Sequence, residues 1–347
     1  MRSEVPKVDK RIYNKDSKTD HIELYDSDNR YPQRIIDIIN ASGTAKRSVE
    51  IYAKFITGGG FKDKTFYGSV INKKGLTADK LLRAVAKDIA HLGGRSYHVN
   101  YNGLLQVSEV SHIPFEYCRR GTGEKSGMIA VYNDWECSIY SRVKKEDIIW
   151  YHKFTSNKTE LLYQIQKCGG ILNYGGQIYT DNKYPLAPID PVIEDVISDK
   201  HIKLYTQKEL QNGFRPSAMV QYPKEFESDE AFQEEINNWK TFQGPDNTGK
   251  IIVIENGGEE KIRVDKFDSA NNDKMYESTD ARVKNSILQR FGQPPSIVGR
   301  RDSGAVFSSQ NIEDDTKFYN SITTDERLLI EQDMELLFSN FYLKINE

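Results

Sequence analysis

The sequence predicts an α+β protein in which helices cluster at both ends of a sheet. Three observations predict it. Apolar stripes at helical spacing run through residues 32–92 and return beyond 190; short β-like runs separated by polar turns fill 95–154; and a second helix-and-strand stretch follows residue 228. At 347 residues the chain has room for two or three domains and can bury a core without covalent staples.

Residues 1 to about 28 are charged and lack periodicity, so they read as an N-terminal arm, either extended or a floppy tail, with the boundary placed at 29. Pro32 suits the first turn of a helix that continues through Ile35, Ile36, Ile38 and Ile39. Ser42-Gly43-Thr44 breaks it, and Thr44 is the expected N-cap of a second helix through Val49, Tyr52, Ala53 and Ile56 that stops at Gly58-Gly59-Gly60. Thr77 caps a third helix with Leu81, Leu82, Val85, Ile89 and Leu92 on one stripe, stopped by Gly93-Gly94.

Five runs then read as strands of an antiparallel sheet packed on these helices: 97–101, 104–107, 128–132, 137–143 and 148–151. Residues 155–189, with two Gly-Gly pairs, Pro185 and Pro188, read as a loop-rich connection holding one short helical stretch. A helix from about Asp190 to Leu210 follows, with Pro191 in its first turn and Val192, Val196, Ile197 and Leu204 as its stripe.

A compact unit comes next. Ser228 caps a helix carrying Phe232, Ile236 and Trp239 that Gly244 ends, and strands 250–255 and 260–264 flank Asn256-Gly257, a pair that favours a hairpin turn. A helix from about Asn271 to Phe291 places Tyr276, Val283, Ile287 and Phe291 on one face, and Pro294-Pro295 forbids its continuation. A Gly/Ser-rich loop runs through Gln310, and one last helix spans about Asn311 to Phe341 with Phe318, Ile322, Leu329 and Leu336 as its stripe.

Composition narrows the function. Lys and Arg number 48 against 51 Asp and Glu, a formal net charge of −3, which excludes a strongly basic DNA wrapper. Aromatic residues reach 11% with 20 Tyr, so the chain is too rich in large rings to be disordered, and such rings suit surfaces that become buried on assembly. No apolar run has the length of a membrane span, the N-terminus has no signal-peptide core, and Cys118, Cys137 and Cys168 form neither a disulfide framework nor a zinc box.

Several motifs have ordinary explanations. Gly58-Gly59-Gly60 lacks the Lys and hydroxyl of a phosphate loop and reads as a helix stop. Asp26-Ser27-Asp28 begins like a calcium loop, but Arg30 stands where an oxygen ligand is needed. The six histidines, His21, His91, His98, His112, His152 and His201, never fall four apart on one helix, so structural or surface roles are expected and no metal site is assigned. Arg301-Asp302-Ser303-Gly304 offers a serine without a positioned base. The acidic run 225–235 is either a solvated helix face or a surface for a partner. Arg290, Arg300 and Arg301 bracket the Pro-Pro step, and Ser303, Ser308, Ser309 and Gln310 add neutral hydrogen-bonding groups, so this stretch is either an ordinary surface loop or a DNA-facing one.

The second half resembles the portal proteins of tailed bacteriophages in order and wording. Residues 212–217 (NGFRPS) are similar to the family's NG-x-x-P step. Trp239 followed by 244–250 (GPDNTGK) and an apolar strand resembles its W…G…N-x-GK run, and 287–299 (ILQRFGQPPSIVG) resembles its I-x-x-x-FG-V-PP-x-x-x-G signature, with Gln293 where the family has an apolar residue. Residues 88–97 (DIAHLGGRSY) and Tyr184-Pro185-Leu186 add weaker likenesses, and the whole covers about 30–342.

The resemblance implies a wing over 30–189, a stem helix over 190–214, a clip over 215–265, a second stem helix over 266–291, a tunnel loop over 292–310 and a long wing helix with the C-terminus over 311–347. The family's helical crown would be short or absent, or the chain truncated, after Glu347. It further implies a dodecameric homo-oligomeric ring at the capsid vertex of a virion, assembled in the host cytoplasm. Double-stranded DNA would pass through it, and terminase large subunit, major capsid protein and head–tail adaptor would be its partners, with no membrane, no cofactor and no catalytic residue.

On that reading Arg300, Arg301, Ser303, Ser308, Ser309 and Gln310 form the DNA-tunnel loop, hinged by Gly292, Pro294, Pro295, Gly299 and Gly304. Glu227, Glu230, Glu234, Glu235, Trp239, Asn247 and Asn256 belong to a clip that serves docking and ring contacts. Two other classes stay open. One is another head–tail connector or structural ring protein; the other is a metal-dependent nucleic-acid hydrolase built on Asp265, Asp268, Asp273 and Asp280.

Overall fold

The computed structural model describes residues 16–17, 21–135, 147–167, 174–177, 184–212, 216–222, 228–241, 250–255, 263–266, 272–299, 309–338 and 343–346. The chain divides into two compact units: Met1–Val196 with Ser286–Glu347, and Ile197–Asn285.

In the larger unit, α1 (Tyr31–Ala41) buries Tyr31, Pro32, Ile35 and Ile39, with Pro32 in its first turn as expected. The next helix, α2 (Gly43–Thr57), is capped one step earlier than the sequence suggests. Ser42, not Thr44, holds the extended N-cap conformation, and its Oγ accepts from the Ala45 amide at 3.1 Å. After the single turn α3 (Lys64–Tyr67), α4 (Ala78–Leu92) follows the predicted stripe and caps: Thr77 accepts from the Lys80 amide and Gly93 closes the helix at φ 71°. A side chain at Gly93 would meet the Leu186 carbonyl oxygen 2.8 Å away, so this stop needs glycine twice over.

The sheet is wider than the sequence predicts. Among the described residues its strands are β1 (Asp16–Ser17), β2 (Ile22–Glu23), β3 (Ser96–Tyr101), β4 (Val107–His112), β5 (Cys118–Gly121), β6 (Met128–Val131), β7 (Ile149–His152) and β8 (Tyr174–Gln177), in the order β1-β2-β5-β6-β7-β8-β3-β4. All neighbours are antiparallel except β7 and β8. That parallel pair needs a crossover, which α5 (Lys158–Lys167) provides within the stretch read as loop-rich.

Three expectations fail in this unit. Residues 104–107 are mostly turn: Asn102 Oδ1 accepts from the amides of Leu104 and Gln106, and the paired strand starts at Val107. The end of the arm is part of the sheet, since Ile22 and Tyr25 are buried and the Tyr25 ring stacks between Tyr184 (4.0 Å) and Tyr31 (5.1 Å). The long last helix is two, α10 (Ser309–Ile322) and α11 (Thr324–Leu337). At their junction the hydroxyls of Thr323 and Thr324 donate to the Asn320 carbonyl, and Arg327 donates to it as well, competing with the helical amides. The expected strand over 137–143 lies outside the described residues.

Residues 343–346 return to the stop of α2. Asn346 and the Gly58–Gly60 turn exchange backbone hydrogen bonds of 2.8 and 2.9 Å, and Leu343 and Ile345 are buried.

A 3-10 turn (Asp190–Val192) leads into α6 (Ile193–Asn212), whose first residues lie in the larger unit. Val196 is buried as expected, whereas Leu204 is exposed. The smaller unit holds a three-stranded sheet with β9 (Pro216–Tyr222) in the centre, β10 (Lys250–Glu255) parallel to it and β11 (Arg263–Lys266) antiparallel. The expected hairpin is therefore absent: β10 and β11 sit on opposite sides of β9, a strand the motif reading of 212–217 passed over. The parallel β9–β10 step requires a crossover, and α7 (Asp229–Thr241) is its helix, packed on β10 and capped by Ser228 as predicted. The second long helix, α8 (Asn272–Arg290), buries Val283 and ends in the larger unit with Ile287, Leu288 and the following Phe291 buried.

Candidate channel and ring surfaces

The end of α8 is anchored before the chain enters the predicted tunnel loop. Ser286 Oγ donates to Asp195 on α6 at 2.5 Å, and the Phe291 ring packs at 5.4 Å from Tyr52 of α2. Gly292 then turns the chain at φ 61°, where a Cβ would lie 3.0 Å from Ile322 Cδ1. Pro294 and Pro295 open a single helical turn, α9 (Pro295–Val298), and Gly299 closes it at φ 78°. The Ser296 hydroxyl donates to Asp315 of α10, tying the far side of the loop to the near side.

Gln293 holds the centre of this anchor. It is buried, and its Nε2 donates to the Ser48 carbonyl at 2.7 Å and to the Tyr319 hydroxyl at 3.0 Å. The departure from an apolar residue at this position thus has a structural use, joining α2 to α10. Tyr52 donates to Glu326 of α11 at 2.6 Å, and burial next to that carboxylate pushes the Tyr52 hydroxyl far above its ordinary range. Among the described residues, three buried side-chain oxygens around this anchor have no hydrogen-bond partner: Ser48 Oγ, Gln293 Oε1 and Glu326 Oε2.

The structure places hinge residues Gly292, Pro294, Pro295 and Gly299 together around α9. Ser309 and Gln310, expected in the loop, form the first turn of α10 instead, because the helix begins at Ser309. Arg300, Arg301, Ser303, Gly304 and Ser308 lie outside the described residues. In the smaller unit Glu230 and Glu234 stand exposed on α7, and Glu235 and Trp239 belong to the same helix. Glu227, Asn247 and Asn256 lie outside the described residues. Tyr205 of α6 stacks on Tyr276 of α8 with centroids 5.0 Å apart.

The sequence stripe on the last helix pair points the wrong way. Buried on it are Tyr319, Thr323, Arg327, Ile330, Glu331, Asp333, Met334 and Leu337, while Phe318, Ile322 and Leu336 are exposed and Leu329 is half-buried. The inward face is fixed by charge: Arg95 makes a bidentate pair with Asp333, which also accepts from Tyr97 at 3.0 Å. Burial drives the Tyr97 hydroxyl well above its ordinary range.

Arg119, fully buried on β5, was not legible as a key residue. It donates to Asn29 Oδ1 (2.6 Å), to the carbonyls of Asn29, Glu116 and Cys118 (2.8 Å each), and lies over the rings of Tyr25 and Trp135. The arm, the sheet and α1 meet on this one side chain.

The would-be calcium loop holds a cation of the chain's own, since Arg34 pairs with both Asp26 and Asp28. His112 pairs with Asp88 at 2.7 Å, which also accepts from the Phe115 amide. Of the carboxylates weighed for a hydrolase, Asp265 lies on β11 opposite Met219 and Asp280 pairs with Lys284 on α8, whereas Asp268 lies outside the described residues. Among the described residues there is no cluster of three or more metal-ligating side chains, and no helix is long and apolar enough to cross a membrane.

No family model and no curated protein matches the chain. Solved structures do. A chain from the neck of a native gene transfer agent (GTA) particle, computed with C12 symmetry, is similar at a TM-score of 0.57 and 14% identity, over 91% of this chain and 84% of that one. A chain from the virion of the native GTA particle gives 0.56 and 13% over the same shares. An HK97-family phage portal protein from Corynebacterium diphtheriae has a TM-score of 0.47 and 10% identity, covering 90% of this chain and 95% of that one.

The chain therefore has an α+β fold that it shares with a chain from the neck of a GTA particle. The sequence resemblance implied an α+β fold of this kind, and two long helices lead into and out of the small α/β unit.

Proposed function

We propose that this chain is a subunit of a portal-type head–tail connector, a dodecameric ring at the capsid vertex of a virion through which double-stranded DNA is packaged and ejected. The observation that carries the reading is the shared fold, over nine-tenths of the chain, with a neck component of a particle computed with C12 symmetry.

Residues 215–265, reached by α6 and left by α8, form the clip, where the exposed carboxylates of α7, Glu230 and Glu234, face terminase large subunit during packaging and a head–tail adaptor afterwards. The stretch between α9 and α10 carries Arg300 and Arg301 to the channel. A near-neutral chain suits a conduit, because a lining dense in Lys and Arg would hold phosphates by counterion release and stop DNA from sliding. The ring does no chemistry of its own; ATP hydrolysis belongs to terminase, assembly takes place in the host cytoplasm, and the major capsid protein surrounds the vertex.

Light scattering of the purified chain across concentration, with negative-stain images, tests the reading. Ring particles with a central channel are expected. A chain that remains monomeric with and without capsid scaffold overturns it, and an Arg300→Ala, Arg301→Ala ring that packages DNA normally removes the arginines from the channel.

A further inference from the structure

On α10, Phe318 (56% exposed) and Ile322 stand four residues apart on one outward side, and on α11 Leu328 and Leu336 (56% exposed) are exposed as well. Asp314, one turn before Phe318 on α10, and Asp325, one turn before Leu328 on α11, are exposed beside them, while the exposed Glu335 pairs with Lys344 at 3.6 Å. A helix pair whose inward side is already anchored by Arg95–Asp333 has no need of a second apolar stripe for its own packing. An exposed stripe of this kind marks a surface that something covers.

A second mixed patch lies on α5, the crossover helix between β7 and β8. Leu161 and Gln164 are buried beneath it, while Leu162 and Tyr163 (63% exposed) project from it. Lys158 and Lys167 on the same helix and Lys153 ahead of it are exposed, and the one acid of α5, Glu160, accepts from Thr155. The two patches thus match in kind and oppose in sign: apolar with carboxylates that outnumber the single exposed cation, Lys317, on α10–α11, and apolar with ammonium groups on α5. The remaining exposed apolar side chains, such as Val70, Leu104 and Leu186, stand singly, which is ordinary for a protein surface.

A ring closes only by head-to-tail contact, in which two different patches of the same chain meet between neighbours. We propose that the outward side of α10–α11 in one subunit seats on the α5 patch of the next, with Phe318 and Ile322 against Leu162 and Tyr163, and Asp314 and Asp325 facing Lys158 and Lys167. The occupant of both patches is a second copy of this chain. This rests on the ring reading above and adds to it the surfaces that make the ring.

Cross-linking tests it in the full chain, with Cys137 and Cys168 changed to Ser and the buried Cys118 retained. The double variant Tyr163→Cys, Phe318→Cys is expected to give a ladder of covalent oligomers on mild oxidation, with at least tenfold more product than either single variant, since like positions do not meet in a head-to-tail contact. In parallel, Lys158→Glu with Lys167→Glu is expected to weaken assembly at least tenfold, and adding Asp314→Lys with Asp325→Lys to restore most of it. Far-UV circular dichroism checks that each variant folds. Rings that form without the cross-link, or charge variants that assemble normally, overturn the proposed surfaces while the ring stands. A chain that never assembles takes down both.

Discussion

The Arg119 cluster and the Gln293 cluster are both buried knots of polar side chains in the larger unit, yet one is saturated and the other is not. Arg119 spends its guanidinium on four oxygens at 2.6–2.8 Å and is roofed by two aromatic rings. Around Gln293, three buried oxygens are left without a donor. A saturated network rigidifies what it joins, whereas each unmade buried hydrogen bond costs about 1–3 kcal/mol and brings alternative arrangements closer in energy. The difference follows position: Arg119 fixes the arm to the sheet, and Gln293 sits where the second long helix hands over to the proposed tunnel loop.

The largest effect is expected at the saturated knot. Arg119→Met keeps volume and removes every donor, leaving Asn29 Oδ1 with the Tyr25 amide alone and taking a donor from the carbonyls of Asn29, Glu116 and Cys118, and should destabilise the fold by about 3–5 kcal/mol in urea titrations. A loss below about 1 kcal/mol would mean that the arm is held by the Tyr25 stack alone. Next comes the turn beside Gln293. Gly292→Ala adds a side chain at positive φ against Ile322 and should cost about 1–2 kcal/mol, more than Gly299→Ala, whose new methyl meets open space.

The comparison is sharpest at Gln293 itself. Gln293→Leu removes one orphaned oxygen and two hydrogen bonds together, so its stability should stay within about 1 kcal/mol of the parent. A loss as large as that of Arg119→Met would show that the orphaned atoms are satisfied in solution and that the two knots are alike.

Much of the fold was legible because periodicity and caps agree. The stripe and both caps of α4, the Pro step into α1, the Ser228 cap of α7 and the buried side of α8 all follow from local spacing. What failed was decided by partners distant in sequence. The β9–β10–β11 order depends on which strand takes the centre, and Asn-Gly after β10 carries no information about β9. The arm reads as solvated because it carries few apolar residues; Ile22 and Tyr25, the buried apolar side chains among its described residues, depend on Arg119 and Tyr184, 90 or more residues away. On α10–α11 the moment is ambiguous, since two apolar sides exist and the inward one hides among Arg327, Glu331 and Asp333. Of the predicted site, the turn at Gly292, the Pro294–Pro295 step and the stop at Gly299 were legible as local geometry, while the Gln293 anchor was visible only as a departure from the family pattern.

The smallest effect concerns protons rather than packing, and it probes the sheet that Arg119 stabilises. His98 lies on β3 with its ring at 5.1 Å from Tyr151 of β7; burial is the main cause that lowers its pKa, Glu109 acting against it and Lys74 with it. In the unfolded chain the imidazole titrates at its ordinary value of about 6.5. Between that value and the lower folded one the unfolded state binds more protons, so stability falls as pH drops through this window and is fully present above it. His91 and His152 are shifted in the same direction by the same cause, which makes the slope shared. Urea midpoints of the parent should therefore decline gently from pH 7 to pH 5, and His98→Gln should flatten part of the decline while leaving the pH 7 midpoint of an Arg119→Met background unmoved beyond its own small packing change. A steeper decline in His98→Gln than in the parent would mean that His98 is charged in the folded sheet, with Glu109 rather than burial deciding its state.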